Sequence, residues 1–171
     1  MKSITAKNGQ NFVLRPIQKE DKSRLVQGLS NMSAQSIHHR FLGFKKEFTD
    51  KELKYLTELD GKKNFALAVG TLNESNELIG VGVGRYHALS NDPNRAEVAI
   101  TIIDKFQGLG LGTILMKELI FHAKKNDIQV FEGILENAND AMKSLVKKLD
   151  GFKLSRSEDD TLKMVGDLTI Y

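Results

Sequence analysis

A glycine-rich segment is the part of this sequence whose residue types and spacing most clearly suggest chemistry. Residues 97–113 read Glu-Val-Ala-Ile-Thr-Ile-Ile-Asp-Lys-Phe-Gln-Gly-Leu-Gly-Leu-Gly-Thr. This pattern predicts an apolar strand that turns directly into an amphipathic helix. The first amides of such a helix have no partner within the helix, and the helix dipole adds partial positive charge there. Because glycines carry no Cβ, the turn is expected to cradle a phosphate, with Thr113 as a further donor.

Other glycine-rich motifs fit the segment less well. A Walker-type phosphate loop requires G-x-x-x-x-G-K-[ST], and no lysine occupies the required place. A dinucleotide fingerprint requires G-x-G-x-x-G, whereas the glycines here are Gly108, Gly110 and Gly112. Spacing alone therefore leaves open a tight strand-to-helix turn that binds no ligand.

The first half of the chain must position this segment with one strand and a group of helices. Residues 12–15 predict a strand that Pro16 closes. Two or three helices should follow between about Asp21 and Asp60. The last of them is expected to begin at the capping box of residues 49–52, Thr-Asp-Lys-Glu, with Leu53, Leu56 and Leu59 on one face.

The second half alternates strands with helices, which predicts a mixed α/β layer fold. Predicted strands are 65–69, 78–86, 96–103 and 130–135, with a hairpin turn at 73–76 and two final strands within 152–171. Predicted helices run from near Gly110 to Asn126 and from about Asp140 to Asp150-Gly151.

Composition favours one domain, residues 1–171, with 40% hydrophobic and 27% charged residues. The absence of cysteine excludes disulfides and thiolate sites, and agrees with a reducing, cytoplasmic location. We find neither the apolar stretch of a signal peptide nor a run long enough to span a membrane. The net charge of +3 is spread over scattered lysine pairs, which argues against nucleic-acid binding and suits an anionic cofactor.

A family resemblance sharpens these expectations. Gln107-x-x-Gly110-x-Gly112 resembles the Q/R-x-x-G-x-G/A signature of the GNAT superfamily of N-acetyltransferases. The similarity continues at residues 14–17 and from Asn139 to the glycine and phenylalanine at 151–152. Residues 33–41 and 82–99 further resemble the catalytic domain of bacterial protein lysine acetyltransferases.

The resemblance implies the GNAT fold: a twisted, mostly antiparallel sheet of six to seven strands, with helices on both faces. It also implies an acyltransferase that binds acetyl-CoA and holds no metal. The backbone of the signature would take the pyrophosphate, and the end of the preceding strand would bind the pantetheine arm and polarise the thioester carbonyl. The implied cofactor-binding residues are Ile102, Ile103, Gln107, Gly108, Leu109, Gly110, Leu111, Gly112, Thr113 and Asn139, with Asn137 as the alternative to Asn139.

Glu97 is the implied catalytic residue, because a glutamate at this position acts as general base in the lysine acetyltransferases. An acceptor ammonium must lose a proton before it can attack a carbonyl. Glu97 lies in an otherwise apolar strand, where partial burial would raise a carboxyl pKa. The alternative is a solvent-facing residue, or one paired with Arg95 or Arg85.

The sequence departs from the family in two places. Val146 stands where many relatives carry a tyrosine that protonates the leaving thiolate, and Asp150 is an additional residue before Gly151. We expect the acceptor to be a protein lysine. A small-molecule amine acceptor, or a catalytically silent acyl-CoA-binding module, remains an alternative. Glu118 and His122 are too few to hold a metal.

Overall fold

The computed structural model describes residues 1–73, 75, 77–157 and 159–171. Within these residues the chain forms eight strands and five α-helices. The strands are β1 (Lys2–Thr5), β2 (Asn11–Pro16), β3 (Asn64–Leu72), β4 (Leu78–Ala88), β5 (Arg95–Ile102), β6 (Val130–Glu136), β7 (Phe152–Arg156) and β8 (Thr161–Asp167). The helices are α1 (Lys22–Ser30), α2 (Ala34–Phe41), α3 (Asp50–Thr57), α4 (Leu111–Lys124) and α5 (Asp140–Val146).

All eight strands belong to one sheet, in the order β1-β2-β3-β4-β5-β6-β8-β7. Every neighbouring pair is antiparallel except β5 and β6, which are parallel because α4 crosses over between them. This confirms the predicted mixed fold with a mostly antiparallel sheet.

The helices cover both faces of the sheet. Helix α4 packs on the face of β4 that carries Gly84, where a Cβ would lie 3.0 Å from Leu119 Cδ1. Its buried side chains form one apolar face: Leu111, Leu115, Met116, Leu119, Ile120 and Ala123. Helix α1 packs on the opposite face, where Gly80 approaches the Arg24 side chain. In the part of the chain that is described, no helix is long and apolar enough to cross a bilayer.

The element boundaries agree with most of the sequence predictions. Helix α4 begins directly after Gly110, and the capping box between Thr49 and Glu52 is formed at the start of α3. Strand β1 was not predicted, so the sheet has eight strands and not six to seven. Helix α3 ends at Thr57, before Leu59. The hairpin turn predicted at 73–76 includes residues outside those that the structure describes.

Candidate active site

The sheet opens between its two parallel strands. Residues Arg95–Glu97 of β5 pair with Val130–Glu132 of β6, and no later residue of β5 pairs with β6 within the described chain. Beyond this point β5 continues along β4, and β6 continues along β8. The resulting cleft between β5 and β6 has a volume of about 820 Å³ and is also lined by the beginnings of α4 and α5.

The glycine-rich turn closes one end of the cleft. Gly108 and Gly110 have positive φ angles of 76° and 85°, which glycine adopts without steric cost. The carbonyl of Gly110 accepts the first hydrogen bonds of α4, from the amides of Thr113 and Ile114 at 3.1 and 3.2 Å. Among the described residues, the amides of residues 108–112 have no hydrogen-bond acceptor. These donors, at the positive end of a helix dipole, fit the phosphate cradle predicted from the sequence.

Gly112 has a different function from the other two glycines. A Cβ at this position would lie 3.0 Å from Leu145 Cδ1, so the glycine permits close packing between α4 and α5. This contact brings the first turn of α5 to the cleft. Asn139 caps that turn, since its side-chain oxygen accepts a hydrogen bond from the Met142 amide at 3.0 Å.

Most of the predicted cofactor-binding residues line this cleft. They are Ile102, Gln107, Gly108, Gly110, Leu111, Gly112, Thr113 and Asn139, together with the predicted base Glu97. Asn137, the alternative to Asn139, is exposed and is not among the lining residues, and its amide donates to the Asp160 carbonyl at 3.1 Å.

Ile103 is placed away from the cleft, which corrects that predicted position, whereas Leu109 keeps its amide in the glycine turn and only its side chain does not line the cleft. The Ile103 amide donates to the Val81 carbonyl at 2.9 Å, and its side chain is buried on the side of α1. The Leu109 side chain packs against the core, and its carbonyl accepts the Lys7 amide at 3.1 Å. Alternation along β5 explains the position of Ile103, because successive peptide groups of a strand point to opposite edges.

The same alternation identifies two residues that the sequence prediction missed. Since the Ile103 amide points toward β4, the peptide groups of Val98, Ile100 and Ile102 point toward the cleft. Val98 and Ile100 also line it. An extended ligand in the cleft can therefore hydrogen-bond to this edge of β5 as a strand would.

Gln107 fastens the glycine turn to α2. Its side-chain amide donates to Ser36 Oγ at 3.2 Å and to the Ile102 carbonyl at 3.0 Å. Its own backbone amide donates to the Asp104 carbonyl at 3.1 Å. Its donors are thus used within the protein, which makes Gln107 a residue that positions the turn.

Asp104 strengthens the same connection. Its carboxylate accepts hydrogen bonds from the Ser33 amide, the Ser33 hydroxyl and the Ser36 hydroxyl at 3.0, 2.7 and 2.8 Å. Burial raises the pKa of Asp104, but these hydrogen bonds outweigh burial and hold the pKa below its usual value. The N-terminus of α2 is therefore held against the glycine turn.

The other end of α2 is held by β6. Both His38 and His39 contact the carboxylate of Glu136, with His38 Nδ1 at 2.7 Å from Oε1. The hydrogen bonds from His38 and His39 lower the pKa of Glu136. Helix α2 thus spans the cleft from the glycine turn to the end of β6.

Glu97 lies where β5 and β6 separate. It is exposed at the cleft, so the burial predicted for its carboxyl group is wrong; β6 turns away and leaves the side chain open. Arg95, one predicted partner, instead forms a salt bridge to Glu132 at 2.7 Å. In the described chain, no cation lies within 4.0 Å of the Glu97 carboxylate.

Val146 is 2% exposed and belongs to the hydrophobic core, as the sequence predicted. The position that carries a tyrosine in many GNAT members therefore offers no proton donor here. Among the described residues there is also no group of three or more His, Cys, Asp or Glu side chains that could hold a metal ion.

Comparison with known proteins gives consistent matches over most of the chain. A family profile described as an acetyltransferase (GNAT) domain matches residues 11–153. An acetyltransferase of Pseudomonas aeruginosa is 34% identical over 163 residues, which cover 95% of this chain and 86% of that protein. The acetyltransferase Pat of Mycolicibacterium smegmatis is 30% identical over 148 residues, 85% of this chain, but the match spans only 43% of that longer protein.

A solved structure agrees with the fold. The GNAT domain of S. lividans PAT superposes with a TM-score of 0.85 at 24% sequence identity, covering 97% of this chain and 96% of that one.

Proposed function

This chain belongs to the GNAT acetyltransferase family and is an acyltransferase that uses acetyl-CoA, and from this premise we propose its acceptor and its base. The enzyme transfers the acetyl group directly to the side-chain amine of a lysine in a protein, and Glu97 is the general base. The position of Glu97 is the observation that carries the proposal. Its carboxylate is exposed in the same cleft as the glycine turn and lies beside the free edge of β5.

The cleft supplies the groups that acetyl-CoA requires. The amides of residues 108–112 and the hydroxyl of Thr113 hold the pyrophosphate, which carries negative charge. The backbone of Val98, Ile100 and Ile102 holds the pantetheine arm, whose amides can pair with a strand edge. Bound acetyl-CoA supplies a thioester carbonyl carbon as the electrophile.

Glu97 converts the acceptor ammonium into a nucleophile. The carboxylate accepts one proton, and the nitrogen lone pair forms the new C–N bond as the C–S bond breaks. The electron pair of the broken bond leaves with the sulfur, and the second proton of the nitrogen passes through water to this thiolate, because Val146 offers no proton. A carboxylate without a bound cation can perform this task, whereas the neighbouring Glu132 is already paired with Arg95.

Two observations favour a lysine on a protein over a small amine. Residues 33–41 and 82–99 resemble protein lysine acetyltransferases, and they form α2 and parts of β4 and β5, of which β5 borders the cleft. In addition, the connection from α2 to α3 exposes Leu42, which lines the cleft, and Phe44, which is 86% exposed. Exposed apolar side chains beside a cleft suit contact with a macromolecule.

The proposal is tested by comparing acceptors and one substitution. We expect acetylation of lysine-containing peptides and proteins, read by mass spectrometry, to exceed that of free lysine and polyamines. Glu97→Gln should lower kcat by about 10²–10⁴-fold, the usual contribution of a general base, and should retain acetyl-CoA affinity by calorimetry. Glu20→Gln, an exposed glutamate outside the cleft, is the matched control. Faster turnover of small amines would assign a small-molecule acceptor, and unchanged kcat in Glu97→Gln would remove Glu97 from its role.

A further inference from the structure

A second, smaller cavity lies between helices α1–α3 and the sheet, and it joins the cleft. Its volume is about 110 Å³, and most of its lining is apolar. Five residues line both spaces: Met32, Arg40, Phe41, Ala99 and Thr101. Arg40 of α2 therefore lies where an acceptor that reaches Glu97 would pass, and Arg85 of β4 lines the smaller cavity that adjoins this place.

Another pair of arginines in the same cavity shows how this protein neutralises such charges. Arg15 and Arg24 both bond to Asp21, which is 2% exposed. The Arg15 guanidinium donates to both carboxylate oxygens at 2.7 Å, and Arg24 donates to one of them at 3.0 Å. A buried carboxylate thus compensates both cations, as buried charges require.

Arg40 and Arg85 have no such partner. Among the described residues, neither guanidinium has a carboxylate within 4.0 Å or a hydrogen-bond acceptor, and both side chains remain partly open to solvent. Each instead lies near an aromatic ring: Arg40 Cζ is 5.1 Å from the centre of the Phe41 ring, and Arg85 Cζ is 5.5 Å from that of Tyr55. Guanidinium planes that stack on rings keep their N–H donors free for a ligand.

The charges around the two arginines favour the binding of an anion. Burial, together with the nearby charge of Arg40, lowers the pKa of Arg85 to about 10. Burial also lowers the pKa of Arg40, while the negative charge of Glu97 opposes this effect. Two cations are thus held near one another and near Glu97, so these three groups sum to a net charge of about +1.

We propose that Arg40 and Arg85 bind a carboxylate of the acceptor, so that the enzyme prefers a lysine beside an aspartate or glutamate. One carboxylate would neutralise the net charge of the three groups, whereas a phosphate dianion would leave an excess negative charge next to Glu97. Arg85 pairs in register with Ala99, two residues along β5 from Glu97, which corresponds to about 7 Å along a strand. This separation fits an acidic residue adjacent to the lysine. The inference rests on the proposed lysine acetyltransferase function.

A set of matched peptides tests the proposal. The peptides share one sequence and carry Asp, Asn or Arg beside a single lysine. We expect the wild-type kcat/KM for the Asp peptide to exceed that for the Asn peptide by tenfold or more, through KM, because charge-assisted bidentate bonds are strong. Arg85→Met and Arg40→Met should each bring this ratio close to one, and Arg85→Lys should restore part of it. Lys117→Met removes an exposed cation from α4, on the other face of the sheet, and should keep the full ratio.

The contrary results are distinct. Equal kcat/KM for Asp and Asn peptides in the wild type, or an unchanged ratio in folded Arg85→Met, overturns the proposal. Succinyl-CoA provides a further comparison: if Arg85→Met abolishes use of this donor while the peptide ratio is one, the arginines serve the acyl chain and not the acceptor. If no peptide is acetylated, the proposed function fails. In that case, calorimetric titration of the peptides into the protein with coenzyme A present still tests the inference. The inference requires the Asp peptide to bind tenfold more tightly than the Asn peptide.

Discussion

Glu97 and Glu132 are register partners at the last paired position of β5 and β6, and only Glu132 is compensated by cations. Arg95 lies 2.7 Å and Lys163 lies 3.9 Å from the Glu132 carboxylate. Two carboxylates on neighbouring strands would repel each other if both were unpaired. The salt bridges to Glu132 remove this conflict and leave Glu97 as the carboxylate that is free to accept a proton.

This asymmetry predicts that glutamine substitutions at Glu97 and Glu132 have unequal effects on kcat. Glu97→Gln should lower kcat by about 10²–10⁴-fold, because it removes the proposed base. Glu132→Gln removes no proton acceptor, so its loss of kcat should be at least about tenfold smaller. Steady-state assays with one lysine peptide at saturating acetyl-CoA measure both. Equal losses would assign the proton transfer to the pair of carboxylates.

Gly110 should be required for acetyl-CoA binding beyond its effect on stability. Its φ of 85° strains any other residue, and a Cβ would lie 3.2 Å from Lys7 Cε. Gly110→Ala should therefore lower the free energy of unfolding by about 1–2 kcal/mol and raise the Kd for acetyl-CoA at least about tenfold. Gly61→Ala provides the control, because Gly61 has a φ of 74° in open space and does not line the cleft. It should lose similar stability with unchanged Kd; a parallel loss of affinity would mean that strain alone weakens binding.

Asp21 should make the stability of the protein depend on acid pH. Burial raises the pKa of Asp21, but hydrogen bonds from Arg15, the Gln18 amide and Arg24 outweigh it and hold the pKa below its usual value. The ionised Asp21 carboxylate therefore contributes its full share of the folding stability above the unfolded-state pKa of about 3.9. This share is lost as pH falls through the folded-state pKa of Asp21.

Asp21→Asn should cost about 3 kcal/mol at pH 7, since it leaves the largely buried Arg15 and the partly exposed Arg24 without a counter-charge. Urea unfolding between pH 2.5 and 7 measures both the stability lost in the variant at pH 7 and the dependence of stability on acid pH. The variant should show a shallower loss of stability below pH 4 than the wild type. The same acid dependence in both proteins would exclude Asp21 as its source.

Glu136 should control how firmly α2 closes over the cleft. Glu136→Gln removes the charge that His38 and His39 contact, so the C-terminal part of α2 should open more often. We expect faster amide hydrogen exchange in α2, measured by mass spectrometry at neutral pH. Exchange in α3, which does not contact Glu136, is the internal reference. Unchanged exchange in α2 would show that the contacts of Asp104 with the other end of the helix are enough to hold it over the cleft.

Local sequence patterns predicted the elements whose causes are local. The glycine spacing predicted the turn at Gly110 and the start of α4, and the capping box predicted the start of α3 at Thr49. In each case the determining contacts lie within a few residues along the chain.

Features set by distant partners were not predictable in the same way. The exposure of Glu97 depends on where β6 leaves β5, and Ile103 turns away from the cleft because of its bond to Val81. His38 and His39 are adjacent on α2, and both contact Glu136, which lies on a strand almost 100 residues later. Strand β1 is short and is defined by its pairing with β2.

The three register pairs between β5 and β6 have a thermodynamic consequence. They join two halves of the sheet, whereas seven pairs join β4 to β5 and seven join β6 to β8. A ligand that bonds to both sides of the cleft adds connections at this weak boundary, so ligand binding and resistance to unfolding are linked by mass action. The lifetime of the folded enzyme therefore increases with the supply of its acyl donor, and the protein is most easily unfolded or proteolysed when acetyl-CoA is scarce.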